Sequence, residues 1–133
     1  MPLRAAVIDD RGSNPVEFVL VGTLLTALTL AVLQLALAVY VRNVVHDAAV
    51  EGAYYAALAD VSLGEGKQRT QDVITRAIGP AYAEDVAVGT SRVADRESVD
   101  VRVRTSLPVF GLIGVPYGLQ VEAHAPAESF DAG

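Results

Sequence analysis

Three regimes of hydrophobic and polar spacing follow one another along this chain. The first is uniform: from Phe18 to Val41, 24 consecutive residues carry no charge, bounded by Glu17 and Arg42. As a helix that run extends about 36 Å, enough to cross a hydrocarbon layer of about 30 Å with some tilt. A buried core helix would need a polar face to meet water, and none exists here. A secretory signal peptide would need a shorter apolar stretch before a small-residue cleavage site. Ala36-Leu37-Ala38 has that form, but the sequence stays apolar through Val45, broken by Arg42 and Asn43 alone. The run therefore reads as a spanning anchor over 18–41, with Tyr40 suited to the interface and Arg42 able to reach water beyond it.

After Arg42 the spacing becomes amphipathic. Val44, Ala48, Gly52 and Ala56 form one i, i+4 row and Val45, Ala49, Ala53 and Ala57 the next, while Asp47, Glu51 and Asp60 fall off both. One long helix from about Asn14 to about Asp60 is predicted, its outer part presenting a stripe of small residues for the chain's own sheet, for neighbouring subunits, or for both. Ser62-Leu63-Gly64-Glu65-Gly66 reads as the turn that ends it. A short helix is predicted over 67–78, apolar through Val73, Ile74, Ala77 and Ile78 and stopped by Gly79-Pro80.

Then the period changes to two. Val86 and Val88 alternate, as do Val99, Val101 and Val103, and again Leu119, Val121, Ala123 and Ala125. Strands are predicted near 85–91, 97–106 and 118–125, as an antiparallel meander with one face buried under the helices. The fold class is α+β: a long N-terminal transmembrane helix continuing into a small domain, 61–133, with one short helix and a three-stranded sheet. On the second strand Asp100, Arg102 and Arg104 point the other way and read as a solvated face. The segment 107–116 is unusually apolar for a loop. It either folds over the end of the core or exposes a patch, with Phe110 and Ile113 as contact residues for a partner or the membrane interface.

Composition narrows the function. Among 133 residues there are 10 Lys and Arg against 16 Asp and Glu, a net charge of −6 with a single Lys. That argues against nucleic acid as a partner, since phosphate contacts need clustered basic residues. Without Cys there is no disulfide, thiol nucleophile or thiolate metal site. His46 and His124 are the only histidines, and neither stands in a ligand spacing such as H-x-x-x-H. Ser91, Ser98 and Ser106 lack a nucleophile-elbow motif. No enzyme, cofactor or metal centre is expected.

Two polar residues touch the anchor. Gln34 lies inside it, where an amide can hydrogen-bond across to a second helix or be tolerated without a partner. Glu17 stands at its edge, where a carboxylate is costly without a partner. Asn14 as N-cap, Pro15 at the first helical position and Glu17 three residues after the cap would form a capping box. The flanks do not set an orientation by charge: Arg4 and Arg11 face Asp9 and Asp10, and Arg42 is followed by Asp47 and Glu51.

Gly12-Ser13 followed by Glu17 and Phe18 at the start of an apolar run resembles the class III signal of type IV pilin-like proteins. Arg11-Gly12-x-x-x-Val16-Glu17-Phe18, with the later Ala48-Ala49-x-x-Gly52-Ala53-x-x-Ala56, is similar to the TadE-like family of tight-adherence pilus systems over roughly 11–57. Gly22-Thr23 stands where that family often has a Pro, and Gln34 near where it often carries a Glu. The resemblance implies a leader of residues 1–12 removed between Gly12 and Ser13 by a prepilin peptidase on the cytoplasmic side. It implies a long helix over 13–60 in the cytoplasmic membrane, N-terminus inside and C-terminal domain outside. Glu17 and Phe18 would then be assembly residues, with Glu17 the fifth residue of the mature chain. The expected partners are membrane lipid, the peptidase, other pilin-like subunits and pilus assembly proteins. The expected function is that of a minor, pseudopilin-like subunit, since principal filament subunits of this kind are much shorter. The competing expectation is an unprocessed single-pass binding module of the envelope; a domain released after Ala38 is a third.

Overall fold

The computed structural model describes the backbone of residues 2–109 and 113–128, and the side chains of 13–107 and 118–128. The chain forms two compact units, Met1–Ala36 and Leu37–Gly133. A long helix, α1 (Pro2–Ala56), contributes to both.

In the first unit, α1 is exposed around its whole circumference from Ser13 to Leu33. Phe18 is 79% and Leu24 69% accessible. Three hydroxyls in this stretch are satisfied within the helix: Thr23, Thr26 and Thr29 donate to the carbonyls of Val19, Gly22 and Leu25 at 2.7–2.8 Å. A segment surrounded by hydrocarbon needs this internal satisfaction, because no water is there to bond. Within Ser13–Ala56 the helix is long and apolar enough to cross a membrane. It does not begin at Asn14, however. Pro15 lies inside it, so the Asn14 cap expected from sequence does not form in the full chain, and Glu17 makes no capping bond among the described residues. The physical reason is that residues 2–12 continue the helical backbone ahead of Ser13 rather than leaving a free end to cap.

In the second unit, the small-residue rows of α1 become core. Val41, Val45, Ala48, Ala49, Ala53, Ala56 and Ala57 are buried, while Asp47, Glu51 and Asp60 are exposed. The helix ends in a turn after Ala56, and the backbone N–H of Glu128 bonds the Ala57 carbonyl at 2.8 Å, satisfying one acceptor the helix end leaves open.

The second helix, α2 (Leu63–Ile78), starts four residues before the predicted 67. Ser62 caps it in a reciprocal box: its hydroxyl accepts from the Glu65 N–H at 3.2 Å, and the Glu65 carboxylate accepts from the Ser62 N–H at 2.7 Å. The segment expected to be a turn thus opens a helix, and the turn that ends α1 lies before it. Gly79 closes α2 at φ +107°, where an L side chain would be strained, and its N–H bonds the Thr75 carbonyl. The buried face of α2 is Gly66, Thr70 and Ile74, with Val73 and Ile78 partly covered; Ala77, expected on that face, is exposed. A short 3₁₀ turn, Pro80–Tyr82, leads to the sheet.

The sheet is a meander of β1 (Asp85–Val93), β2 (Arg96–Val109) and β3 (Ile113–Pro126), ordered β1-β2-β3 and antiparallel throughout. Val86, Val99, Val101, Val103, Leu119, Val121, Ala123 and Ala125 fill its inner face. Much of the segment 107–116, expected to be a loop, is strand: Leu107 pairs with Val115, Pro108 with Gly114 and Val109 with Ile113. The register shifts between Thr105 and Leu107, with Pro116 in the irregular stretch of β3. Pro108 is tolerated because β1 pairs only as far as Arg104, leaving β2 without a neighbour on that side.

Candidate functional site

The residues singled out from sequence do not converge. Gly12 and Ser13 lie within the backbone of α1. Glu17 and Phe18 are exposed on the same helix, and among the described residues Glu17 makes no hydrogen bond or ion pair. Gln34 differs from the threonines around it: its side-chain carbonyl oxygen is shielded from solvent and has no hydrogen-bond partner among the described residues. Phe110 lies outside the described residues. Ile113 is placed as the first residue of β3, opposite Val109, and its side chain lies outside the described set.

The small-residue stripe is explained by packing at one crossing. A β-carbon added at Gly52 would overlap the Thr70 hydroxyl and stand 3.2 Å from the Gly66 carbonyl. One added at Gly66 would overlap the Ala56 β-carbon. The stripe therefore admits α2 as well as the sheet. Outside the crossing, Arg69 reaches Glu51 at 2.6 Å and lies over the Tyr55 ring at 5.8 Å. Both groups of that ion pair are nearly half exposed, so it contributes little.

A second cluster lies on the outer face of the sheet, the face that Asp100, Arg102 and Arg104 mark in the sequence as solvated. The register puts His124 directly opposite Asp100, and Glu122 opposite Arg102. His124 Nδ1 bonds the Asp100 carboxylate, His124 Nε2 lies 3.7 Å from Glu122 Oε1, and Arg102 bonds Glu122 Oε2 at 3.1 Å. The Asp100 carboxyl is held below its ordinary range, first by the Ser91 hydroxyl on β1 and then by His124 and Arg102, with partial burial opposing them. Arg102 and Arg104 also line a shallow depression with Asp85, Ala87 and Gln120. The only signal for this cluster in sequence is the two-residue spacing of Glu122 and His124; Asp100 joins them through register alone.

Comparison with known proteins bears on the first helix. No curated protein and no solved structure matches this chain. The model of the TadE-like protein family matches residues 15–53. The matched segment starts at Pro15, takes in Glu17 and the exposed apolar stretch, and ends at Ala53, within the crossing with α2 that Gly52 and Ala56 form. Gly12 and Ser13 stand just before it. Over residues 15–53 the chain is therefore similar to the TadE-like family, whose name connects it with pilin-like components of tight-adherence pili.

Proposed function

We propose that this chain is a minor, pseudopilin-like structural subunit of a tight-adherence-type pilus or a related envelope secretion machine. In this reading a prepilin peptidase releases residues 1–12, and the helix from Ser13 holds the subunit in the cytoplasmic membrane with its domain outside. The observation that carries the reading is the family match over 15–53, which coincides with a helix exposed and apolar up to Leu33 and core-forming from Val41.

Pro15 gives independent physical support. It has no N–H to donate to the Arg11 carbonyl, and inside a helix its ring costs about 3 kcal/mol. After a cut between Gly12 and Ser13 it is the third residue, in the first turn, where backbone N–H groups have no intrahelical partner anyway. Processing turns an interior defect into a tolerated start.

Glu17 is then one turn from the new Ser13 amine. In a bundle of such helices its carboxylate, buried among apolar neighbours, would pair with the amine of an adjacent subunit. A pair of this kind stabilises little but penalises wrong register, because one unpaired buried charge costs several kcal/mol. Glu17→Ala should leave processing and membrane insertion intact and remove the subunit from filaments sheared off cells. Normal incorporation of that variant would reject the assembly role of Glu17.

A further inference from the structure

We propose that Asp100, Glu122 and His124 form a three-ligand site on the outer face of the sheet for a divalent transition ion of the Zn²⁺ class. Each residue offers one ligand atom, and the three lie within 4.8 Å of one another. An ion about 2.0–2.2 Å from each ligand holds atoms up to ~4 Å apart, so small rotations of these partly exposed side chains close the set. The backbone already supplies the arrangement: Asp100 and His124 are register partners, and Glu122 lies two residues before His124, on the same face of β3.

The surroundings resemble an outer shell. Arg102 bonds Glu122 through Oε2, which leaves Oε1 turned toward His124. Hydrogen bonds that orient ligating carboxylates in this way are characteristic of metal sites. An imidazole with two carboxylates suits Zn²⁺ or its neighbours; Ca²⁺ and Mg²⁺ take oxygen ligands. The ion replaces the Asp100–His124 hydrogen bond and adds a cross-strand link between β2 and β3, with a fourth position toward solvent for water.

The test is calorimetric titration of the full, untagged chain in detergent with zinc chloride. The expected result is saturable binding of about one ion per chain, with a rise in the thermal midpoint of the parent protein followed by circular dichroism. His124→Gln and Asp100→Asn each weaken binding by ~10-fold or more, while His46→Gln leaves the titration unchanged. Both site variants change partly exposed side chains, and their dichroism spectra should match the parent. Absence of saturable binding up to about 1 mM zinc, or binding that survives both site substitutions, overturns the proposal and leaves the cluster as surface hydrogen bonds and ion pairs.

Discussion

Gly52 on α1 and Thr70 on α2 share one space: the Thr70 hydroxyl stands where a β-carbon at residue 52 would be. Thr70 is fully buried and donates to the Gly66 carbonyl at 3.0 Å, so it has little freedom to retreat. Helix propensity by itself would favour Ala at position 52 by about 1 kcal/mol. Overpacking of a tight contact costs about 1–3 kcal/mol, and here the neighbour is a hydrogen-bonded side chain backed by main chain. The overlap should win. Gly52→Ala is expected to lower the thermal midpoint of the detergent-solubilised chain; an unchanged or higher midpoint would show that α1 and α2 can separate freely.

The Ser62–Glu65 box should carry about 1 kcal/mol of α2 stability, the usual loss when a Ser cap becomes Ala. It should also be pH-dependent. The Ser62 backbone N–H, and secondarily its hydroxyl, hold the Glu65 carboxyl below its ordinary value of 4.5. A carboxyl with a depressed folded pKa contributes fully above the unfolded value and loses that contribution as pH falls through the folded one. Ser62→Ala should therefore destabilise at pH 7 and matter progressively less below about 4.5. Denaturation curves of parent and variant at both pH values would show the difference closing; a constant gap would mean that Glu65 takes no part.

The β1–β2 turn is strained at Ala94. Ala94 and Asp95 have φ of +49° and +63°, the pair of left-handed residues a two-residue type I′ turn demands. An alanine in that region costs about 1–2 kcal/mol, and Asn-Gly relieves it. Replacing Ala94-Asp95 by Asn-Gly should raise the stability of the chain by about 1 kcal/mol, read as an upward shift in urea midpoint at constant slope. A lower midpoint would show that the turn residues make contacts worth more than the strain.

The sheet was legible because its signal is local: Val99, Val101 and Val103 alternate with Asp100, Arg102 and Arg104, and a strand needs no more than that. The start of α2 is obscured in the sequence although Ser62-x-x-Glu65 is a capping-box pattern, because Gly64 and Gly66 look like turn residues. Gly66 is in fact required by the approach of Ala56, a contact between distant positions. The strand character within the apolar 107–116 segment is obscured for a similar reason, since Pro108 and Pro116 hide the alternation of a strand pair that continues past the end of the β1 pairing. Glu17 is marked in the sequence by its place at the edge of the apolar run, but its assembly role, and Gly12 altogether, come only through resemblance, as charge sets no direction. In the Asp100–Glu122–His124 cluster, spacing puts Glu122 and His124 on one face of β3, but Asp100 joins them only through the register of β2 on β3.

Gln34 separates a lone anchor from a packed helix. The hydroxyls of Thr23, Thr26 and Thr29 are satisfied in their own helix, whereas the Gln34 carbonyl has no such partner among the described residues. In a subunit assembly it should bond across to another helix, contributing about 0.5–2 kcal/mol. Gln34→Leu is expected to weaken helix association by that amount, measured by energy transfer between labelled chains in vesicles. Unchanged association would make Gln34 a tolerated bystander.

The central claim is that this chain is a processed, pilin-like subunit, and the N-terminus of the mature protein tests it most directly. Chain extracted from the membranes of cells that carry the matching peptidase should begin at Ser13, by N-terminal sequencing and intact mass. A mature chain that keeps Met1, or one that begins beyond Val39, would contradict the account: the first leaves an unprocessed anchored module and the second a released domain.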